Sequence, residues 1–112
     1  MKVVIENTVP NRILNFYQNV MRKYQNTYSL ENLLENVDKV ENETYKVGTK
    51  LRKVNPSTTR IISKWRGYNV DYSKDTGWYF AYKIEGDIIH VYDVENFANM
   101  DDEAFIWAGN TI

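Results

Sequence analysis

Two periodicities divide the chain. Lys2 to Glu6 (KVVIE) is rich in β-branched residues and is closed by Asn7 and Thr8, which predicts a short strand at or near a sheet edge. Beyond it the spacing lengthens to three or four residues. Ile13, Phe16, Tyr17, Val20, Met21 and Tyr24 recur at helical spacing to about Asn26, with Thr8 expected as the cap and Pro10 near the helix start. Ser29 is a second cap, and Leu30, Leu33, Leu34, Val37 and Val40 fall on one stripe with Glu and Asn on the other side. Only a few residues around Thr27 and Tyr28 separate the two helices, so they are expected to fold back as an antiparallel hairpin.

The second half of the chain changes period. ENETYKVGTKLRKVNPSTT is polar and basic, with Gly48 and Pro56 as breakers, and leaves room for a short strand around Tyr45 to Val47 or Leu51 to Val54. Arg60 to Trp65 and Tyr68 to Tyr72 read as strands, and SKDTG (73–77) is turn chemistry. The next stretch, GWYFAYKIEGDIIHVYDV (77–94), holds two aromatic-rich runs around one turn. A two-residue loop of Gly86 and Asp87, with glycine supplying the positive φ of a type II′ turn, pairs residues whose numbers sum to 173. That register sets Trp78, Phe80, Tyr82 and Ile84 against Ile89 and Val91 on a core face, and Tyr79, Ala81 and Lys83 against His90 and Tyr92 on the other. In the tail, Phe97, Met100, Ala104, Phe105 and Trp107 suit one short helix. The sum is an α+β domain spanning 1–112: an N-terminal strand and α-hairpin packed on an antiparallel meander of three to four strands, with a short C-terminal helix.

Composition narrows the chemistry. With 112 residues the chain can build one core without staples, and with no cysteine it has neither a disulfide framework nor a thiolate nucleophile. One histidine makes a conventional zinc site unexpected, and no other cofactor is implied. MKVVIENTVP is too short in apolar length for a signal-peptide core, and no run approaches a membrane span, so a cytoplasmic protein is expected. The net charge of −1 conceals a segregation: seven basic residues and no acid from Lys46 to Arg66, then seven acids and no Lys or Arg from Glu85 to Glu103. A basic block of this kind either holds phosphates or is a solvated face partly neutralised by the acidic end.

The order of elements, with GYNVDYSKDTGWYFAYKIEGDIIHVYDV from Gly67 to Val94, resembles the RelE/ParE superfamily of toxins from bacterial toxin–antitoxin pairs. WYFAY (78–82) fits the family's aromatic strand. The resemblance implies a toxin held by a cognate antitoxin, with mRNA and the ribosome as further partners if it is an mRNA-cleaving endoribonuclease acting during translation. Two arginines of the family pattern fall at Asp71 or Tyr72 and at Tyr79 here, and its basic segment after the last long strand falls at Glu95, Asn96 and Phe97. These departures leave open a catalytically inactive, protein-binding member of the same fold, gyrase-poison-like or partner-binding.

RNA cleavage needs a base for the ribose 2′-hydroxyl, an acid for the leaving oxygen and cations for the phosphorane. Lys83, His90 and Tyr92 are the candidate catalytic residues, and Arg52, Lys53, Arg60, Lys64, Arg66 and Tyr79 the candidate RNA contacts. The alternative for His90 is a half-buried strand histidine with an ordinary hydrogen bond. A third reading uses Tyr68, Tyr79 and Tyr92 as stacking platforms for single-stranded nucleic acid, against the alternative that they are core.

Overall fold

The structure, a computed structural model, describes residues 2–54, 60–98 and 105–107, with 60–63 and 105–107 described by their backbone alone. It is α+β: two helices on one face of a five-stranded mixed sheet, and a separate two-stranded ribbon. Strand β1 (Lys2–Ile5) leads into helix α1 (Thr8–Lys23), which buries Val9, Ile13 and Tyr17 at four-residue intervals. The helix begins at Thr8 itself, not after it: Asn7 is the N-cap and makes no side-chain cap bond. Pro10 therefore lies within the first turn, where its missing N–H costs no helical bond. Arg22 and Lys23 occupy the last turn, where cations suit the exposed carbonyls.

Helix α2 (Leu30–Thr44) starts at the expected Ser29, whose Oγ accepts from the Asn32 N–H at 3.1 Å. Its buried line is narrower than the sequence stripe. Leu33 and Val40 are core, Val37 packs at its margin, and Leu30 and Leu34 stand 61% and 58% exposed. The helix also runs past Val40 to Thr44, carrying the buried Glu43 into reach of the 73–77 turn, where Ser73 and Thr76 donate their hydroxyls to its carboxylate. Residues 45–47, one of two places where a strand was allowed, form turns instead. The other place holds β2 (Arg52–Lys53).

The main sheet runs β1-β6-β5-β4-β2, with β2, β4 (Asn69–Tyr72), β5 (Trp78–Glu85) and β6 (Ile88–Asn96) each antiparallel to its neighbour and β1 parallel to β6. The antiparallel part, β6-β5-β4-β2, has four strands, and β1 makes a fifth by joining the sheet directly, pairing Val3 with Ile89 and Ile5 with Val91. Arg60 to Trp65 is not one strand of the meander. It divides into β3 (Arg60–Ile62) and a single 3-10 turn (Ser63–Trp65), and β3 leaves the main sheet to pair with β7 (Phe105–Trp107). Phe105 and Trp107, expected in a C-terminal helix, are thus strand residues; the intervening positions 99–104 of that expected helix lie outside the described residues.

The β5–β6 hairpin follows the sum-173 register from Glu85↔Ile88 to Tyr82↔Val91, then shifts by one at a bulge, so that Ala81 faces Asp93 and Trp78 faces Asn96. Gly86 has φ of 63° and, among the described residues, only glycines have positive φ, which matches the type II′ turn. Trp78, Phe80, Tyr82, Ile89, Val91 and Val94 meet Val9, Ile13, Tyr17, Leu33 and Val40 in one core. Ile84, assigned to that face, is exposed because β5 there extends past the helices. Burying these aromatic and branched side chains supplies most of the driving force, at roughly 1.5–3 kcal/mol each. The core also satisfies its polar atoms: Trp78 Nε1–H donates to the Tyr17 hydroxyl at 2.9 Å.

Candidate functional site

The face of the sheet turned away from the helices is only partly roofed. Trp65, delivered by the 3-10 turn, covers Val70 and Ala81, with Val54, Tyr68 and Tyr79 packed around them. Toward the hairpin loop this cover ends, and Lys83, His90 and Tyr92 come together. Lys83 and His90 are cross-strand partners, and the His90 and Tyr92 rings stack with centroids 3.8 Å apart and planes 22° from parallel. Tyr92 is the extra residue of the bulge, which swings its ring edge-on to Tyr68 at 5.5 Å. The Lys83 ammonium lies 4.7 Å above the Tyr68 ring centroid, a cation–π contact.

Two carboxylates that sequence reasoning did not nominate complete this patch. Glu6 lies at the end of β1, and the parallel pairing of β1 with β6 brings its Oε2 to 3.0 Å from His90 Nε2. Glu85, at the end of β5, accepts the Tyr92 hydroxyl at 2.9 Å and lies 3.7 Å from His90 Nδ1. The contact of Nε2 with Glu6 holds the imidazole in one orientation, with Nδ1 on the side of Glu85. The hydrogen bond to Glu85 holds the Tyr92 phenol protonated, its pKa raised above the ordinary tyrosine value. The patch therefore offers a carboxylate-oriented imidazole, an ammonium and a phenol on an aromatic shelf.

Beside it, a second set of charges is consumed internally. Because β1 pairs only as far as Val91, the first turns of α1 run past the rest of β6, and Arg12 reaches Asp93 at 3.1 Å and Glu95 at 3.4 Å. Lys64 bridges the same two carboxylates at 3.5 and 3.2 Å, and Trp65 Nε1–H donates to Asp93 at 2.8 Å. This lock fastens the 3-10 turn to α1 and β6. Thr8, Arg12, Lys64, Trp65, Tyr68, Tyr92 and Asp93 line an open groove of about 320 Å³ next to the patch.

The residues expected to contact RNA are not gathered in one place. Lys64 is in the lock; Arg52 and Lys53 are exposed on the edge strand β2; Arg66 is exposed at the tip of the turn from Trp65 to Tyr68. Arg60 belongs to β3, and its side chain lies outside the description. Tyr79 is half-buried against Tyr72, with centroids 4.6 Å apart, and burial raises its pKa. Of the three stacking-platform tyrosines, Tyr68 and Tyr92 flank the patch and Tyr79 is packed in the outer cluster. The sequence held no signal for Glu6 or Arg12, since both reach the site only through the parallel β1–β6 pairing and the placement of α1. Glu85 was legible as the residue flanking the turn. Among the described residues no group of three His, Cys, Asp or Glu could hold a metal ion, and no helix is long and apolar enough to cross a membrane. Comparison of the chain with protein-family models, with curated proteins and with solved structures gave no match.

Proposed function

We propose that this chain is the toxin of a toxin–antitoxin pair of the RelE/ParE kind, acting in the cytoplasm, and that its outer-face patch cleaves messenger RNA on the ribosome. The observation that carries the reading is the meeting of Lys83, His90 and Tyr92 on one face, with His90 oriented by Glu6. In this mechanism His90 Nδ1 takes the proton of a ribose 2′-hydroxyl, the 2′-oxygen attacks the adjacent phosphorus, and the P–O5′ bond breaks to leave a 2′,3′-cyclic phosphate. Lys83 faces the charge on the phosphorane and protonates the departing 5′-oxygen, while the Tyr68 and Tyr92 rings stack on the flanking bases. The exposed Arg52, Lys53 and Arg66 are the natural contacts for an acidic segment of the antitoxin.

A second reading has its own observation. Arg12 and Lys64 are both bridged to Asp93 and Glu95, so the surface beside the patch gains little attraction for a phosphate backbone. That favours a member that binds a protein target, gyrase-poison-like or partner-binding, without RNA chemistry. Induction of the protein in growing bacteria, with transcript 5′ ends mapped, separates the two. New ends within translated messages that vanish in a Lys83→Ala/His90→Ala variant support cleavage. Growth arrest without new ends transfers the reading to a protein target, and absence of any effect removes the toxin reading in that host.

A further inference from the structure

The stripe of α2 that the sheet fails to cover is a surface in its own right. Leu30 and Leu34 lie four residues apart, Val37 follows at the next turn, and Tyr45, the C-cap residue, continues the same side of the helix. Leu30, Leu34 and Tyr45 are 61%, 58% and 62% exposed, and Val37 is half-buried. At 1.5 Å per residue this ridge extends about 22 Å, the footprint of four turns of a facing helix. At its start it opens into a groove of about 560 Å³ between the helices, lined in part by Met21, Gln25, Tyr28 and Leu30.

Along its length the ridge is bordered by carboxylates of α2, and cations stand only at its two ends, Arg22 in the groove beside Leu30 and Lys46 after Tyr45. Glu31 and Asp38 flank it, Glu41 lies on the ridge itself between Val37 and Tyr45, Glu35 lies further round, and the single cation of α2, Lys39, is on the other side of the helix. A second copy of this chain is a poor occupant, because pairing α2 with itself sets these rows of carboxylates against one another. An anionic membrane surface is repelled for the same reason. We infer that this ridge docks a basic amphipathic helix of another protein, with leucine-like side chains seated between Leu30, Leu34 and Tyr45 and Lys or Arg side chains paired to Glu31, Asp38 and Glu41. The ridge lies on the helical side of the sheet and the Lys83–His90–Tyr92 patch on the other, so the two can be occupied together, and the inference does not depend on what the patch does.

The test uses the full chain and a synthetic peptide of about 18 residues, long enough to form a marginal helix, with leucines on one face and Lys and Arg flanking them. A control peptide has the same composition with its leucines scattered. Calorimetric or anisotropy titration is expected to show binding of the first peptide only. Leu30→Ser/Leu34→Ser should weaken it at least tenfold with an unchanged melting temperature, since both side chains are exposed. Glu31→Lys/Asp38→Lys should weaken it in low salt, with a difference that narrows as salt rises. Lys83→Ala/His90→Ala should bind as the parent does. Equal binding of both peptides, no binding of either, or binding indifferent to the Leu30→Ser/Leu34→Ser change overturns the inference. Self-association in sedimentation that this change abolishes also overturns it, assigning the ridge to a second copy.

Discussion

Asp71 is a fully buried carboxylate on the core side of β4. It accepts the Gly48 N–H at 2.7 Å and the Tyr82 hydroxyl at 2.9 Å. Burial pushes its pKa up, against the downward pull of those two bonds and of Lys53. Because the folded-state value lies above that of the unfolded chain, near 3.9, the folded protein holds the proton more tightly. The contribution of Asp71 to stability is thus fully present below the unfolded pKa and is lost as pH rises through the raised folded value. Denaturant midpoints followed upward from about pH 4 should therefore fall less steeply in Asp71→Asn than in the parent. Equal slopes would mean that Asp71 titrates alike in both states. Tyr82→Phe removes one of two donors from this carboxylate and should cost roughly 1–3 kcal/mol, more at pH 7 than near pH 4, because the ionised acceptor is the stronger one. Burial and the adjacent Asp71 also raise the Tyr82 phenol far above the ordinary tyrosine value, so ultraviolet titration should find it protonated until the protein unfolds.

At the scale of elements, the connections carry the specificity. The loop after α2 turns at Gly48, which has φ of +80°, and a Cβ there would lie 2.7 Å from Cδ1 of the buried Ile89. Gly48→Ala should cost roughly 1–3 kcal/mol, the sum of left-handed backbone strain and a core side chain forced to move. The 3-10 turn is the second such connection. Trp65 is fully buried over Val70 and Ala81 and donates to Asp93, so Trp65→Ala should cost about 3–5 kcal/mol and loosen the Arg12–Lys64 lock. Trp65→Phe, which keeps the packing and strips one donor from a carboxylate that retains Arg12, Lys64 and the Val94 N–H, should cost less in the same melt. The pattern of apolar residues made the helices and the hairpin legible, since each buries one face against the other. It did not make the 3-10 turn legible, because RIISKW (60–65) holds no glycine or proline to mark where the strand ends.

At the scale of the whole molecule, the sheet separates two surfaces of different character, an outer patch of His90, Lys83, Tyr92, Glu6 and Glu85 and a helical side with an acidic, leucine-bearing ridge. Substitutions on the two sides are far apart and share no partner, so their effects should add. A variant combining Lys83→Ala/His90→Ala with Leu30→Ser/Leu34→Ser should show a stability change equal to the sum of the two pairs within about 0.5 kcal/mol. A larger discrepancy in chemical denaturation would show the faces to be coupled through the sheet.

Local pattern alone determined the α+β class, the Ser29 cap, the 73–77 turn, the Gly86–Asp87 turn and the meeting of Lys83 with His90, because each depends on residues close in sequence. Tertiary structure decided what spans distance. The parallel pairing of β1 with β6 brings Glu6 to His90 across 84 positions, and the lock joins Arg12 to Glu95 across 83. The bulge at Tyr92 belongs here too: IHVY alternates, but Val91 and Val94 lie three residues apart, and keeping both in the core takes one extra residue, which shifts the register by one. Leu30 and Leu34 show the converse, residues whose spacing promises burial but which stand to one side of the line of Leu33 and Val40 that meets the core. Periodicity states which side chains share a face of an element; whether another element reaches that face is settled only when the chain has closed on itself.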